Sequence, residues 1–167
     1  NLIAIMKQAG YDVTWITNQQ TQTRRNTLLT TFSRMADHQI YLNNNRTQNA
    51  DQYDGAVLNP LSEALESKTD KKLIIVHLLG THRKYTYRYP ENFNKFITAK
   101  GAPDWVTDSH ISEYNSYDNA VLYNDYVVSS IIMQLKKRQE ASLMVYFSDH
   151  GEEVFDTLGN LFCGRNE

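Results

Sequence analysis

Two short apolar runs constrain the fold more than any other feature of this 167-residue sequence. KLIIVHLLG, starting at Lys72, and SLMVYFS, ending at Ser148, are continuous hydrophobic stretches rather than alternating ones. A strand with one wet face alternates apolar and polar residues, whereas a strand covered on both faces has no need to. Both runs are therefore expected to be doubly buried strands of a parallel sheet. Neither approaches the roughly 20 residues that would span a bilayer as a helix.

The rest of the chain alternates helical and strand patterns. Leu2 to Ala9 places Leu2, Ile5, Met6 and Ala9 on one helical face, with Gly10 as the stop. DVTWIT, from Asp12 to Thr17, is a short strand that ends in the polar cluster Asn18-Gln19-Gln20. From Asn26 to Ala36 the residues Leu28, Leu29, Phe32 and Met35 recur at helical spacing, and a weaker strand covers Gln39 to Leu42. Asn59-Pro60 marks a helix start, with Asn as cap and Pro at the first position, running to about Ser67. Thr81 to Tyr117 is a long irregular segment, and a segment of that length is usually functional or folds small elements of its own. Asp118 to Arg138 is a long helix, with Val121, Val128, Ile131, Ile132 and Leu135 inward. This order predicts an α/β fold with a mainly parallel sheet.

No repeat or linker divides the sequence, so residues 1–167 are expected to form part of one domain. Two features point to a piece of something longer. The chain opens without Met inside an apolar-periodic stretch, and it closes on FCGRNE, which completes no element. A net charge of -2 lacks the basic footprint of a nucleic-acid binder. Cys163, the single cysteine, excludes an internal disulfide and is read as a small loop residue. Eleven tyrosines are unusual, and their amphipathic rings serve either as half-buried packing or as the wall of a groove for a polar substrate.

In parallel sheets ligands bind beyond the carboxyl ends of the strands. Three polar clusters fall at such ends: Asn18-Gln19-Gln20, Gly80-Thr81-His82 and Asp149-His150-Gly151-Glu152-Glu153. Asp149 and His150 pair an oxygen with an imidazole nitrogen, a donor set suited to zinc or manganese more than calcium. The alternative is an ordinary turn with a helix cap. Two ligands do not close a zinc site, so a further ligand is expected outside this chain. His82 follows the other apolar strand and is placed to line the same crevice. His77, within the strand, reads as a satisfied sheet histidine, and His38 and His110 carry no signal. Thr81 is an activated hydroxyl or, more simply, a turn residue. Glu152 and Glu153 either support the histidine or are solvated charges. Lys84 and Arg88, interleaved with Tyr85, Tyr87 and Tyr89, face a phosphate or carboxylate or else form a surface stripe. Gly151 permits an unusual backbone angle or a close approach by substrate.

IIVHLLGTHRKYTYRYPENFNKF, YDNAVLYNDYVV and VYFSDHGEEVFDT together resemble the sulfatase-type phosphoethanolamine transferases, in the branch that decorates the lipopolysaccharide core. GYDVTWITNQQT fits as well, so the resemblance covers nearly the whole chain. It implies a three-layer α/β/α, alkaline-phosphatase-like fold in a periplasmic domain anchored to the bacterial inner membrane. It implies transfer of phosphoethanolamine from phosphatidylethanolamine, through a phospho-threonine, to a phosphate or sugar of lipopolysaccharide. By position Asp149 and His150 match paired zinc ligands, with manganese the alternative ion, and His82 matches a histidine lining the phosphoryl site. Asn18 and Gln19 fall where the family's post-strand loop borders that site. The nucleophilic threonine, the first acidic ligand and the membrane anchor would precede Asn1. The histidine that many relatives carry after SDHGEE has no counterpart in TLGNLFCGRNE, leaving Arg165 or a residue past Glu167 to take its role. A sulfatase or phosphoglycerol transferase of the same fold, and a non-catalytic binding or sensor domain, are the competing expectations.

Overall fold

The computed structural model describes residues 1–19, 27–43, 52–157 and 163–164. Gln20, Asn26 and Arg165, named above, lie outside the described residues. The chain forms two compact units, Asn1–Leu79 and Gly80–Glu167.

The first unit runs α1 (Leu2–Gln8), β1 (Asp12–Thr17), α2 (Thr27–Ser33), β2 (His38–Tyr41), α3 (Leu58–Glu66) and β3 (Lys72–His77). β1 lies between β2 and β3 and is parallel to both, with Asp12 opposite Lys72 and Thr14 opposite His38. The α/β organisation with a parallel sheet is therefore as expected. Val13 to Thr17 of β1 are all buried, and Ile3, Val13, Trp15 and Ala36 form a core packed by Phe32, Met35, Leu73 and Ile75. β3 is half-buried along its length rather than buried on both faces. It sits at one edge of the described sheet, so only one side of its ladder is covered by a strand.

α1 turns a different face inward from the one its spacing predicts. Ile3 is buried, whereas Leu2 and Ile5 are exposed. Ile3 enters the core with Val13, Trp15 and Ala36, and Lys7, one turn beyond it, pairs with Asp37 at 2.6 Å and donates to the Met35 carbonyl. Gly10 ends the helix as expected. Its N–H donates to Lys7 O and the Tyr11 N–H to Met6 O, a closure that needs the left-handed φ of 83° at Gly10. α2 is shorter than its pattern and leaves Leu28 exposed. α3 opens at Leu58, directly from a 3₁₀ turn over Asp54–Val57. Asn59 is consequently not its cap, and Pro60 falls within the first turn, where a missing N–H removes no helical bond.

In the second unit the segment after Gly80 folds into two 3₁₀ turns, Tyr85–Tyr87 and Glu91–Phe93, before α4 (Asp108–Lys137). α4 begins ten residues before the expected Asp118. Its inward positions are Asn115, Ser116, Asn119, Ala120, Tyr123, Val127 and Ile131, while Val121 and Ile132 are exposed. Buried polar residues in the first turns hide the helix from an apolar-period search, and each needs an internal partner. Asn119 has four: it accepts from the Lys95 and Phe96 N–H groups at 2.8 Å and donates to Asn94 Oδ1 and Phe96 O.

SLMVYFS is not a strand here. Its residues adopt no regular structure, with Leu143 89% and Phe147 78% exposed. A doubly buried strand needs a neighbour along its edge and cover on its faces, and the strands described in this unit pair only with each other. These are β4 (Glu153–Val154) and β5 (Cys163–Gly164), antiparallel, with Val154 opposite Cys163. The backbone of Cys163 thus belongs to a short strand, not to the elementless tail its sequence suggests.

Candidate metal and phosphoryl-transfer site

Two of the three polar clusters fall in the second unit, and a side-chain contact ties the loop that follows the first to the second. Tyr85 is almost fully buried, its ring edge-on to Tyr117 at 5.1 Å, and its hydroxyl donates to Glu152 Oε2 at 3.1 Å. The loop after Gly80 is thereby tied to the Asp149–Glu153 segment. Gly80 itself takes a φ of 57°, a left-handed conformation that a residue with a side chain adopts only under strain.

His82 is half-buried, and its ring Nδ1 lies 2.7 Å from the Arg83 carbonyl. A carbonyl only accepts, so Nδ1 carries a proton and Nε2 is left to exchange one. Arg88 is buried, with its Nε donating to the His82 carbonyl at 2.8 Å. Arg88 therefore holds the backbone of the histidine, while Lys84 is exposed. Tyr85, Tyr89 and Tyr123 are buried, which favours packing over a groove for those three rings.

At Asp149-His150 the arrangement follows the same rule. His150 Nδ1 lies 2.8 Å from the Gly151 carbonyl and must donate to it, leaving the lone pair on Nε2. That Nε2 is 3.8 Å from Asp149 Oδ1. Two ligands about 2.0 to 2.1 Å from a tetrahedral zinc sit roughly 3.3 Å apart. A small rotation of the exposed Asp149 carboxylate closes that difference, so the pair fits the ion. Among the described residues no group of three or more His, Cys, Asp and Glu side chains is gathered closely enough to hold a metal. Glu152 accepts from Tyr85, and Glu153 is buried with Oε1 accepting from the Thr157 N–H at 3.1 Å. Gly151 lies outside the left-handed region, and a side chain there would meet open space.

Asn18 and Gln19 belong to the first unit. Asn18 is fully buried, its Nδ2 donating to Gln52 O at 3.0 Å and Asp54 Oδ1 at 2.8 Å; its Oδ1 has no partner among the described residues. Gln19 lies against His77, with Nε2 atoms 3.4 Å apart, and the other His77 nitrogen is 3.0 Å from the Thr17 hydroxyl. His77 is thus the satisfied sheet histidine its position implies. The link between Tyr85 and Glu152 leaves no signal in the sequence. One tyrosine among eleven carries no local mark of the partner it reaches 67 residues away.

The sulfatase family matches residues 1–165. Phosphoethanolamine transferase EptC of Escherichia coli (strain K12) is 55% identical over all of this chain, which covers 29% of that protein. CptA of Salmonella typhimurium (strain LT2), also a phosphoethanolamine transferase, is 52% identical with the same coverage. The chain thus spans under a third of the curated relatives it matches. The crystal structure of the C-terminal periplasmic domain of E. coli EptC in complex with zinc superposes with a TM-score of 0.93 at 54% identity, over 99% of this chain and 47% of that one. The soluble domain of lipooligosaccharide phosphoethanolamine transferase A from Neisseria meningitidis gives 0.62 at 26% identity, over 83% of this chain and 40% of that one. Among the described residues no helix is long and apolar enough to cross a membrane. The fold is alkaline-phosphatase-like, as in that periplasmic domain, and the chain belongs to the sulfatase family, close to its phosphoethanolamine transferases.

Proposed function

We propose that the protein containing this chain transfers phosphoethanolamine from phosphatidylethanolamine to a phosphate or sugar of lipopolysaccharide, in a periplasmic domain at the inner membrane. The observation that carries the reading is the Nδ1 contact of His150 with Gly151 O, which turns a bare Nε2 toward the Asp149 carboxylate. These two residues would hold zinc. When bound, zinc lowers the pKa of a coordinated hydroxyl and offsets charge on phosphoryl oxygens. Its presence in the crystal structure of the E. coli EptC domain supports the assignment.

The chain's own residues have separable tasks. In the first half-reaction a threonine oxygen, outside this chain and already deprotonated, bonds to phosphorus as the diacylglycerol oxygen leaves. His82, protonated at Nε2, gives that leaving oxygen its proton. In the second, the acceptor oxygen bonds to phosphorus, the threonine oxygen leaves again without a proton, and neutral His82 takes the acceptor's proton. Arg88 fixes the histidine through its carbonyl. Lys84, exposed on the same loop, attracts the anionic substrate.

The test is lipopolysaccharide mass in cells carrying the full-length protein with Asp149→Ala, His150→Ala or His82→Ala. Each change is expected to lower phosphoethanolamine addition at least about a hundredfold, and the first two to lower the zinc content of the purified protein. Unchanged addition and zinc content in Asp149→Ala and His150→Ala would refute the metal assignment.

A further inference from the structure

One loop presents apolar side chains to solvent while being held rigidly at both ends. On its entry side Phe93 packs edge-on to Tyr123 at 4.8 Å and against Tyr126 at 5.2 Å. The four hydrogen bonds of the fully buried Asn119 then fix residues 94–96. On its exit side the Trp105 indole N–H donates to Phe155 O at 2.8 Å, and Val106 is buried. Between these anchors the chain turns through an Ala102 N–H bond to Ala99 O, and the Tyr114 hydroxyl reaches Gly101 O. Against this bracing, Phe96 is 43% and Ile97 70% exposed.

Exposed aromatic and aliphatic side chains at the tip of an ordered loop lose water only when something covers them. The charges nearby select what that is. Lys95 and Lys100 flank the apolar tip, both exposed, and neither takes part in an ion pair among the described residues. Asp104 is the one acidic residue between positions 95 and 105. A ring and an aliphatic chain between ammonium groups match an anionic lipid surface. There the apolar atoms enter the acyl boundary, the lysine stems lie along it, and the ammonium groups meet phosphates. Trp105, 37% exposed with its N–H already bonded, adds an aromatic face beside them. We infer that the loop 94–105 is a peripheral docking site for an anionic phospholipid surface. The inference is independent of the activity proposed above.

Co-sedimentation of the chain with vesicles tests it, comparing phosphatidylglycerol mixed into phosphatidylcholine with phosphatidylcholine alone. The chain is expected to pellet with the anionic vesicles and to do so less as salt rises. F96S/I97S should weaken partitioning about tenfold or more, and K95Q/K100Q should weaken it several-fold while abolishing the preference for anionic lipid. Leu143→Ser with Phe147→Ser, altering the other exposed apolar segment, should leave binding in place. Failure of the chain to pellet, or pelleting of F96S/I97S like the parent, would overturn the inference. So would a change in oligomeric state on F96S/I97S without a change in vesicle binding, since the loop would then be a protein contact.

Discussion

The hydroxyl of Tyr85 is a single donor, yet it connects the two segments that carry the candidate chemistry of the second unit. Tyr85→Phe keeps the ring against Tyr117 and deletes only that donor, leaving the half-buried Glu152 carboxylate short of a partner. It should cost about 1 to 2 kcal/mol in a thermal melt and lower transfer by the full-length protein about tenfold; full activity would show that the tie is ornamental. Among the described residues, Asp37 and Asp118 respond to pH in opposite directions. Lys7 foremost, then the Val13 N–H, hold Asp37 below its ordinary pKa of 3.8. Its contribution is complete above that value and is lost as pH falls through the lower folded one. Burial raises Asp118 above 3.8, so the folded state keeps its proton longer and loses stability as pH climbs past that value. Asp37→Asn should therefore destabilise at neutral pH, by under about 1 kcal/mol because the pair is open to solvent. Asp118→Asn should stabilise there, and melts from about pH 3 to 7 would display both slopes. The candidate ligands Asp149 and His150 were legible as residue types, an oxygen donor beside an imidazole, although the strand expected to end at them is not formed. What Arg88 does was not, since a buried guanidinium bonded to a carbonyl reads the same in sequence as one facing a phosphate.

Among the elements, β1 and the end of α1 were the most legible, for local reasons. DVTWIT is a β-branched and aromatic run whose observed limits match its pattern, and Gly10 marks a closure that depends on one residue's φ. Gly10→Ala should cost about 1 to 2 kcal/mol. A methyl there meets nothing within 4 Å, so the cost is the strain of the left-handed φ and would appear as a lower melting temperature with an unchanged circular dichroism spectrum. α4 was the least legible, because its early inward positions are Asn115, Ser116 and Asn119, and Asn119 is bonded to a loop where an apolar residue would pack on a sheet. Periodicity detects apolar faces, and it cannot register a helix whose inward side is polar and satisfied by distant backbone.

At the scale of the molecule, the parallel arrangement of β1, β2 and β3 followed from the alternation of patterns, but the fate of SLMVYFS did not. An apolar run reports what a segment requires, and the requirement is met only where neighbours supply it. With Leu143, Val145, Tyr146 and Phe147 exposed, the chain in isolation carries a sticky surface. It should self-associate at micromolar concentration, and Leu143→Lys with Phe147→Lys should suppress this in size-exclusion chromatography; equal association by that variant would assign the stickiness elsewhere.

The two tryptophans fall one to each unit, Trp15 in the core of the first and Trp105 bonded to Phe155 O in the second. Nature has in effect labelled the halves with separate chromophores. Excitation at the red edge of indole absorption, with Trp15→Phe and Trp105→Phe in turn, isolates the emission of one half at a time. Coincident denaturant midpoints would show a single cooperative transition, and separated ones would give each half its own stability.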